Sequence, residues 1–299
     1  MTLDGMRKLS PRAAALLDAP NEQRIQHIKK QVFIPYSRAQ VILEEMETLF
    51  LHPASHRPPN ILIVARPQNG KTELLHEFLS RHPAQELRDG DAIYAPVLYL
   101  QSPPAPDERV FLRSALELLG IEPRRNEDSG EMLVRVVNAL RKVQTKILLL
   151  DEVNSMLAGS VRKQLFMMNM LKYISNATSI SIVAAGTKDA ANILASDEQL
   201  ESRFPSRPLP RWDQAEPEFK RLLNSFEYVL PLRNASHLQA PQVRQLIYGI
   251  ADGLIGGVAQ TIRDSAVVAI ESGTEAITEE ILQTYATLKL RRKEDVQKI

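Results

Sequence analysis

Three short groups of residues in this chain have the types and spacing to handle a phosphate ester. The first is the run Ala65-Arg66-Pro67-Gln68-Asn69-Gly70-Lys71-Thr72, which leaves the apolar segment Ile61–Val64 and opens an apolar helical stretch at Glu73. Apart from its first position it fits the phosphate-loop pattern G-x-x-x-x-G-K-[ST] on a strand–loop–helix frame. Backbone N–H groups of such a turn, with the N-terminus of the following helix, make a concave anion site. Gly70 lets the main chain approach the phosphates, Lys71 brings positive charge to the outer ones, and the Thr72 hydroxyl is a magnesium ligand. On this reading Ala65, Arg66, Pro67, Gln68, Asn69, Gly70, Lys71, Thr72 and Glu73 line the nucleotide. Ala65 stands where the pattern has glycine; alanine is tolerable there at negative φ and costly at positive φ. The plainer alternative is a chance Gly-Lys-Thr turn before a helix.

The second group is Asp151-Glu152, directly after the apolar run Ile147–Leu150. The carboxyl ends of such strands face the crevice where ligands bind. Asp151 would hold magnesium, directly or through water, and Glu152 would be the general base on the attacking water. A solvated acidic turn is the alternative. The third group is Thr187, after Ala184-Ala185-Gly186, and Arg203, in Asp197-Glu198-Gln199-Leu200-Glu201-Ser202-Arg203-Phe204. Thr187 is the candidate sensor of the γ-phosphate, against a simple Gly-Thr turn. Arg203 is the candidate arginine finger, a permanently charged bidentate donor reaching a neighbouring subunit's phosphate. Its alternative is an intrachain ion pair with Glu198 or Glu201. The implied cofactors are ATP and Mg2+.

The elements that must place these residues read as α/β. Apolar strand runs at 61–64, 97–100, 147–150 and 180–184 alternate with helical patterns near 71–81, 107–119, 130–142 and 161–175, which implies a parallel sheet covered by helices on both faces. A short fifth strand near Arg207–Leu209 would be confined to a sheet edge by Pro208 and Pro210. The expected domains are an N-terminal helical extension (1–57), the α/β core (58–212), a small all-helical C-terminal lid (213–288) and a basic, frayed tail (289–299). The stripe Leu165, Met168, Leu171 and Tyr173, with Met167 and Met170, reads as helix core.

Composition narrows the class. With 37 basic and 36 acidic residues the formal net charge is +1, so any nucleic-acid contact must come from a local patch. The absence of cysteine excludes disulfides and thiolate metal sites. Charged residues interrupt the first nineteen positions, against a signal peptide. No apolar run approaches the ~18 residues of a membrane span. Cytoplasmic is the default location.

Beyond these motifs, several segments resemble one family. They include Asn21-Glu22-Gln23-Arg24-Ile25, Ile34-Pro35-Tyr36-Ser37-Arg38-Ala39, Leu149-Leu150-Asp151-Glu152, Leu157-Ala158-Gly159-Ser160, Gly186-Thr187-Lys188-Asp189-Ala190, Asp197 to Phe204, Leu209-Pro210-Arg211-Trp212 and Ala269-Ile270-Glu271-Ser272-Gly273. In this order they resemble the TniB family of transposon target-selection ATPases and its TnsC relatives. The resemblance implies a P-loop AAA+ domain, with a five-stranded parallel sheet flanked by helices plus the helical lid. It also implies ATP-dependent assembly on double-stranded DNA as a homo-oligomer (ring or helical filament), recruitment of a DDE-type transposase of the TniA/TnsB kind, and a TniQ-type target adaptor. Hydrolysis would drive disassembly. By the same resemblance the DNA-facing surface would carry Gln101, Ser102, Arg109, Arg113, Arg124 and Arg125, against a merely solvated helix and loop. Tyr36, with Ile34 and Pro35, could pack on adenine or simply form a connecting turn in the core. The lid has no arginine at the expected sensor position near Ala259 or Gln260, and Arg263 lies one turn later. A helicase-loader or initiator-type ATPase, or a nucleotide switch with little turnover, would carry the same core motifs.

Overall fold

A computed structural model of the chain describes residues 8–30, 32–86 and 93–297. The first seven residues of the expected extension and the last two of the expected tail lie outside the described residues. The chain forms two compact units, one of residues 38–210 and one made of the N-terminal residues through Ser37 together with Arg211 onward. The N-terminal helices are therefore shared out. Helices α1 (Pro11–Ala15) and α2 (Asn21–Lys29) belong to the helical unit, whereas α3 (Ser37–Phe50) lies almost wholly in the α/β unit.

Within the α/β unit the chain continues β1 (Ile61–Val64), α4 (Lys71–Arg81), the two-residue strands β2 (Gln85–Glu86) and β3 (Ile93–Tyr94), and β4 (Val97–Gln101). Then come α5 (Glu108–Leu118), α6 (Ser129–Lys142), β5 (Ile147–Asp151), α7 (Val153–Met156), α8 (Val161–Thr178), β6 (Ser181–Gly186), α9 (Lys188–Ala195), α10 (Glu198–Arg203) and β7 (Ser206–Pro208). Among the described residues the main sheet has five strands in the order β4-β5-β6-β1-β7, all neighbours parallel. Every residue of β5 and β6 is buried, because helices cover both faces of a parallel sheet. The proline-bounded β7 sits at the edge beside β1, one residue earlier than the sequence suggests. The antiparallel β2–β3 ribbon is too short and too exposed at Gln85, Glu86 and Ile93 to leave an apolar signature.

Asn60 joins the first strand to the sheet centre, its side-chain oxygen accepting from the Ile182 N–H at 2.7 Å. Asp107, Asp128 and Asp197 cap α5, α6 and α10 through their carboxylates. The main core cluster takes Phe111, Leu116, Val136, Met167, Met168, Leu171 and Ile174 from the covering helices. Leu165 and Tyr173, however, are 39% and 52% exposed. A two-residue step turns an α-helix by about 200°, so Tyr173 cannot share the face of Leu171.

The helical unit comprises α1 and α2 with α11 (Pro217–Val229), α12 (Pro241–Ala251), α13 (Ile255–Glu271) and α14 (Glu279–Gln297). Its core gathers Ile28, Trp212, Phe219, Leu223, Ile247, Ile262 and Leu282. Helix α14 runs through the segment expected to fray, and the Lys289 ammonium donates to the Ile250 carbonyl at 3.0 Å, fixing that turn on α12. No helix among the described residues is long and apolar enough to cross a membrane.

Arg24 ties the N-terminal segment into this unit. It is fully buried and donates to the Pro231 carbonyl at 2.8 and 3.1 Å, as well as pairing with the Glu275 carboxylate. Glu275 itself adopts φ +57°, and its carboxylate also accepts from the Arg233 N–H. The Arg24 hydrogen bond, with the Arg233 contacts, holds the Glu275 carboxyl below its ordinary range despite burial. Glu275→Ala leaves the guanidinium buried without its charge partner and should destabilise the helical unit by about 3–5 kcal/mol, read as a shifted urea midpoint. Because the folded-state pKa lies below the unfolded one, the pair stabilises above the usual carboxylate range. That contribution is lost as the pH falls through the depressed value, so the gap between wild type and variant should close in acid.

Candidate nucleotide site

The turn leaving β1 is built for close approach by an anion. Gly70 caps α4 at φ +81°, a conformation that glycine adopts without steric cost, and no side chain caps the helix. Gln68 is also left-handed, at φ +59°. Ala65 is absent from the positive-φ residues and is buried, its N–H donating to the Gly186 carbonyl at 3.1 Å. The alanine that departs from the phosphate-loop pattern therefore carries no backbone strain here. The Lys71 ammonium curls back onto the loop, donating to the Ala65 and Arg66 carbonyls at 3.1 and 3.0 Å. Burial lowers its pKa, while Asp151, Glu152 and Glu73 act in the opposite direction. Asn69, buried, anchors the loop from behind by donating to the Leu209 and Pro210 carbonyls at 2.7 and 3.2 Å. Arg66, Pro67, Gln68 and Glu73 are exposed.

The acidic end of β5 meets this loop. The Thr72 hydroxyl donates to Asp151 Oδ2 at 2.6 Å, and the Tyr99 hydroxyl donates to the same oxygen at 3.1 Å. Oδ1 accepts the Glu152 N–H at 2.8 Å. Thr72 and Asp151 thus bring two hard oxygen donors together, a set suited to Mg2+. Burial, then the Asp151 charge, raises the Tyr99 phenol well above its ordinary value, so it remains a donor. His76 stacks on the Tyr99 ring with centroids 4.5 Å apart. Glu152 is exposed, stands at φ +54°, and its carboxylate accepts from the Gln101 amide at 2.9 Å. A left-handed non-glycine residue of this kind stores strain, which gathers at functional sites. Between β5 and β1 lies β6, and its tip places half-buried Thr187 ahead of α9 with no side-chain capping bond. Gly186 is needed there for space, since a Cβ would come 2.9 Å from Ala190 Cβ and 3.0 Å from Val153 Cγ2.

The model of the family described as Bacterial TniB protein matches residues 24–214. The chain belongs to the TniB family. No curated protein matches it in sequence. Among solved structures it is similar to Orc1 of Aeropyrum pernix in complex with DNA, with TM-score 0.63 and 16% identity over 92% of this chain and 72% of that one. It is also similar to Cdc6p of Pyrobaculum aerophilum, with TM-score 0.59 and 19% identity over 84% and 67%. A Walker-type ATPase of Pyrococcus abyssi gives TM-score 0.56 and 12% identity over 91% and 79%. At these identities the likeness is one of fold, and the fold of this TniB-family chain is that of the P-loop AAA+ ATPases.

The other candidate residues, Gln101 apart, fall outside this cluster. Arg203, at the end of α10, makes no ion pair with Glu198 or Glu201; its Nη1 donates to Asn176 Oδ1 at 3.2 Å. Gln101 is engaged by Glu152, and Ser102 is buried with its hydroxyl unpaired. Arg109, Arg113, Arg124 and Arg125 are exposed, with Arg109 donating to the Glu127 carbonyl at 2.9 Å. Tyr36 packs edge-on against Trp212 at 5.1 Å in the helical unit, beside buried Ile34. Arg263 lines a small cavity with His27, Lys30 and Phe226 in that unit.

Tyr99, His76 and the anchoring role of Asn69 escape a reading of the sequence alone. Tyr99 sits inside an apolar strand, where an aromatic residue signals only packing.

The φ values at the two ends of the loop generate a paired expectation. Ala65→Gly should lower stability by about 1–2 kcal/mol, through a freer unfolded chain and the loss of a buried methyl, and leave nucleotide affinity unchanged. Gly70→Ala, forced to φ +81°, should weaken nucleotide binding severely. Thermal unfolding and calorimetric titration with an ATP analogue check both.

Proposed function

We propose that this protein is a magnesium-dependent ATPase that assembles as a homo-oligomer on double-stranded DNA and delivers a DDE-type transposase to the target. The observation that carries the ATPase reading is the 2.6 Å contact of Thr72 with Asp151, which joins the phosphate loop to the acidic strand end. The loop N–H groups and Lys71 bind the triphosphate, with Gly70 keeping the approach clear. Thr72 and Asp151 would hold magnesium, which would supply Lewis-acid stabilisation of the departing charge. Glu152, steadied by Gln101, orients a water and accepts its proton as the water oxygen bonds to the γ-phosphorus. The bond from that phosphorus to the β–γ bridging oxygen breaks, leaving ADP and phosphate. Thr187, just past the end of the strand between the two halves of the site, faces the γ-phosphate, and Arg203 of an adjacent subunit stabilises the same group in trans.

The DNA and transposition part of the reading rests on family membership and on the segments that follow the core motifs. Exposed Arg109, Arg113, Arg124 and Arg125 are the phosphate-contact candidates, a set that positions DNA without reading its sequence. A TniQ-type adaptor, a ring or helical assembly and a cytoplasmic location belong to the same reading. The likeness to Orc1 and Cdc6p favours an initiator-type ATPase as the second reading; transposase binding stimulated by ATP and duplex DNA separates the two.

Calorimetry with an ATP analogue should show Lys71→Ala without measurable binding; wild-type affinity in that variant would remove the phosphate-loop assignment. Glu152→Gln should keep ATP affinity while hydrolysis falls about a hundredfold or more and assemblies persist on duplex DNA. A normal turnover rate in Glu152→Gln would rule out its role as base.

A further inference from the structure

The surface around Arg203 holds a second cation that neither the sequence motifs nor the family match assigns. Arg57 lies in the connection between α3 and β1, and its Nη2 approaches the Ser202 hydroxyl at 3.4 Å, next to Arg203 in the chain. Burial, then the charge of Arg57, lowers the Arg203 pKa, as a nearby like charge must. Neither guanidinium has a carboxylate within ion-pair distance among the described residues. Their partners are neutral: the Ser202 hydroxyl for Arg57 and the Asn176 amide oxygen for Arg203. Neutral acceptors direct a guanidinium without cancelling its charge. Two uncompensated cations side by side repel each other, and that repulsion is relieved by a polyanion bridging them.

The polyanion must come from outside this copy's own fold. Asn176 lies on an exposed line of α8 that also carries Phe166 and Tyr173, 55% and 52% exposed. Exposed aromatic residues on the helix that orients Arg203 suit a face that another protein covers. The nucleotide site of a second copy presents the matching charge, phosphates together with Asp151, Glu152 and Glu73.

We infer that Arg57 acts with Arg203 as a paired cation that grips the terminal phosphate of the nucleotide held by a second copy of this chain. The inference rests on the ATPase reading above and extends it to a residue outside α10. Arg57 is exposed on a connecting segment, so replacing it should leave the fold intact.

The test uses full-length protein with Arg57→Gln, and Arg203→Ala as the reference. Arg57→Gln should keep the ATP-analogue affinity and unfolding temperature of wild type while the hydrolysis rate falls about tenfold or more. Co-purified assemblies of Arg57→Gln with Lys71→Ala should regain part of the rate. In them the first supplies an intact nucleotide site and the second an intact Arg57. Full-rate hydrolysis by Arg57→Gln overturns the inference, as does a loss that mixed assemblies do not restore, which would mean a role within one copy. A variant that needs more duplex DNA yet reaches the wild-type rate at saturation would give the cations to DNA phosphates and also overturn it. Wild-type protein inert toward ATP would instead sink the underlying ATPase reading, whereas Arg203→Ala at full rate would remove the trans role of Arg203 and overturn the pairing with it.

Discussion

The contact between the Thr72 hydroxyl and the Asp151 carboxylate spans a strand. β1 and β5 are not neighbours, for β6 runs between them. The loop leaving β1 must therefore lean across the tip of β6 to reach the acidic end of β5. That demand explains the composition of the tip. Ala184, Ala185 and Gly186 are small and buried, and a Cβ on Gly186 would collide with α7 and α9. It also explains Asn69, whose amide pins the loop to the exit of β7 on the far side of β1. The loop is thus held from one flank by Leu209 and Pro210 and from the other by Asp151. Pre-set geometry of this kind spares the reacting groups the entropy of finding one another.

The sheet was legible because parallel strands buried on both faces leave continuous apolar runs. Ile61–Val64 and Ile147–Leu150 could be placed almost to the residue, and prolines 208 and 210 marked the edge strand. The Gly70-Lys71-Thr72 turn ahead of α4 and the Asp151-Glu152 pair at the end of β5 were placed on their elements from the sequence as well, since the chemistry proposed for them demands fixed residue types at fixed spacing. What did not show has a common cause, in that it depends on partners distant in the chain. Tyr99 touches Asp151 across 52 positions, and Arg24 reaches Glu275 across 251. Nor does the basic character of the segment expected as a flexible tail tell of the Ile250 carbonyl that receives Lys289. Likewise the bond from the Gln101 amide to the Glu152 carboxylate was not legible, because Glu152 follows the neighbouring strand.

The helical unit is organised by a different principle. Helix α2 is joined through a fully buried arginine to the connections that follow α11 and α13, so segments far apart in the sequence fold as one body. A buried ion pair is a poor source of net stability, because desolvating both charges offsets most of their attraction. Its value lies in specificity. Arg24 can be satisfied only where the Pro231 carbonyl and the Glu275 carboxylate converge, which excludes dockings of α2 that an apolar contact would tolerate.

Charge distribution connects the site to assembly. The chain is nearly neutral overall, at +1, but its charges are sorted locally. Around the phosphate loop Lys71 faces Asp151, Glu152 and Glu73, three carboxylates against one ammonium. On the proposed reading a triphosphate adds further negative charge there, and one divalent ion offsets only part of it. Charge that develops on the outer phosphates during hydrolysis then has few local donors to meet it. On the proposed reading, the deficit is the reason the site is completed by guanidiniums from outside. Arg57 and Arg203 are oriented by neutral groups and leave their own surface with an excess of positive charge. Each surface is electrostatically unfavourable alone and complementary to the other. Nucleotide binding, by raising the negative charge of one surface, strengthens the pull on the next copy, and loss of the γ-phosphate weakens it. On the proposed function, ATP-dependent assembly and its reversal by hydrolysis would follow from the same imbalance of charge.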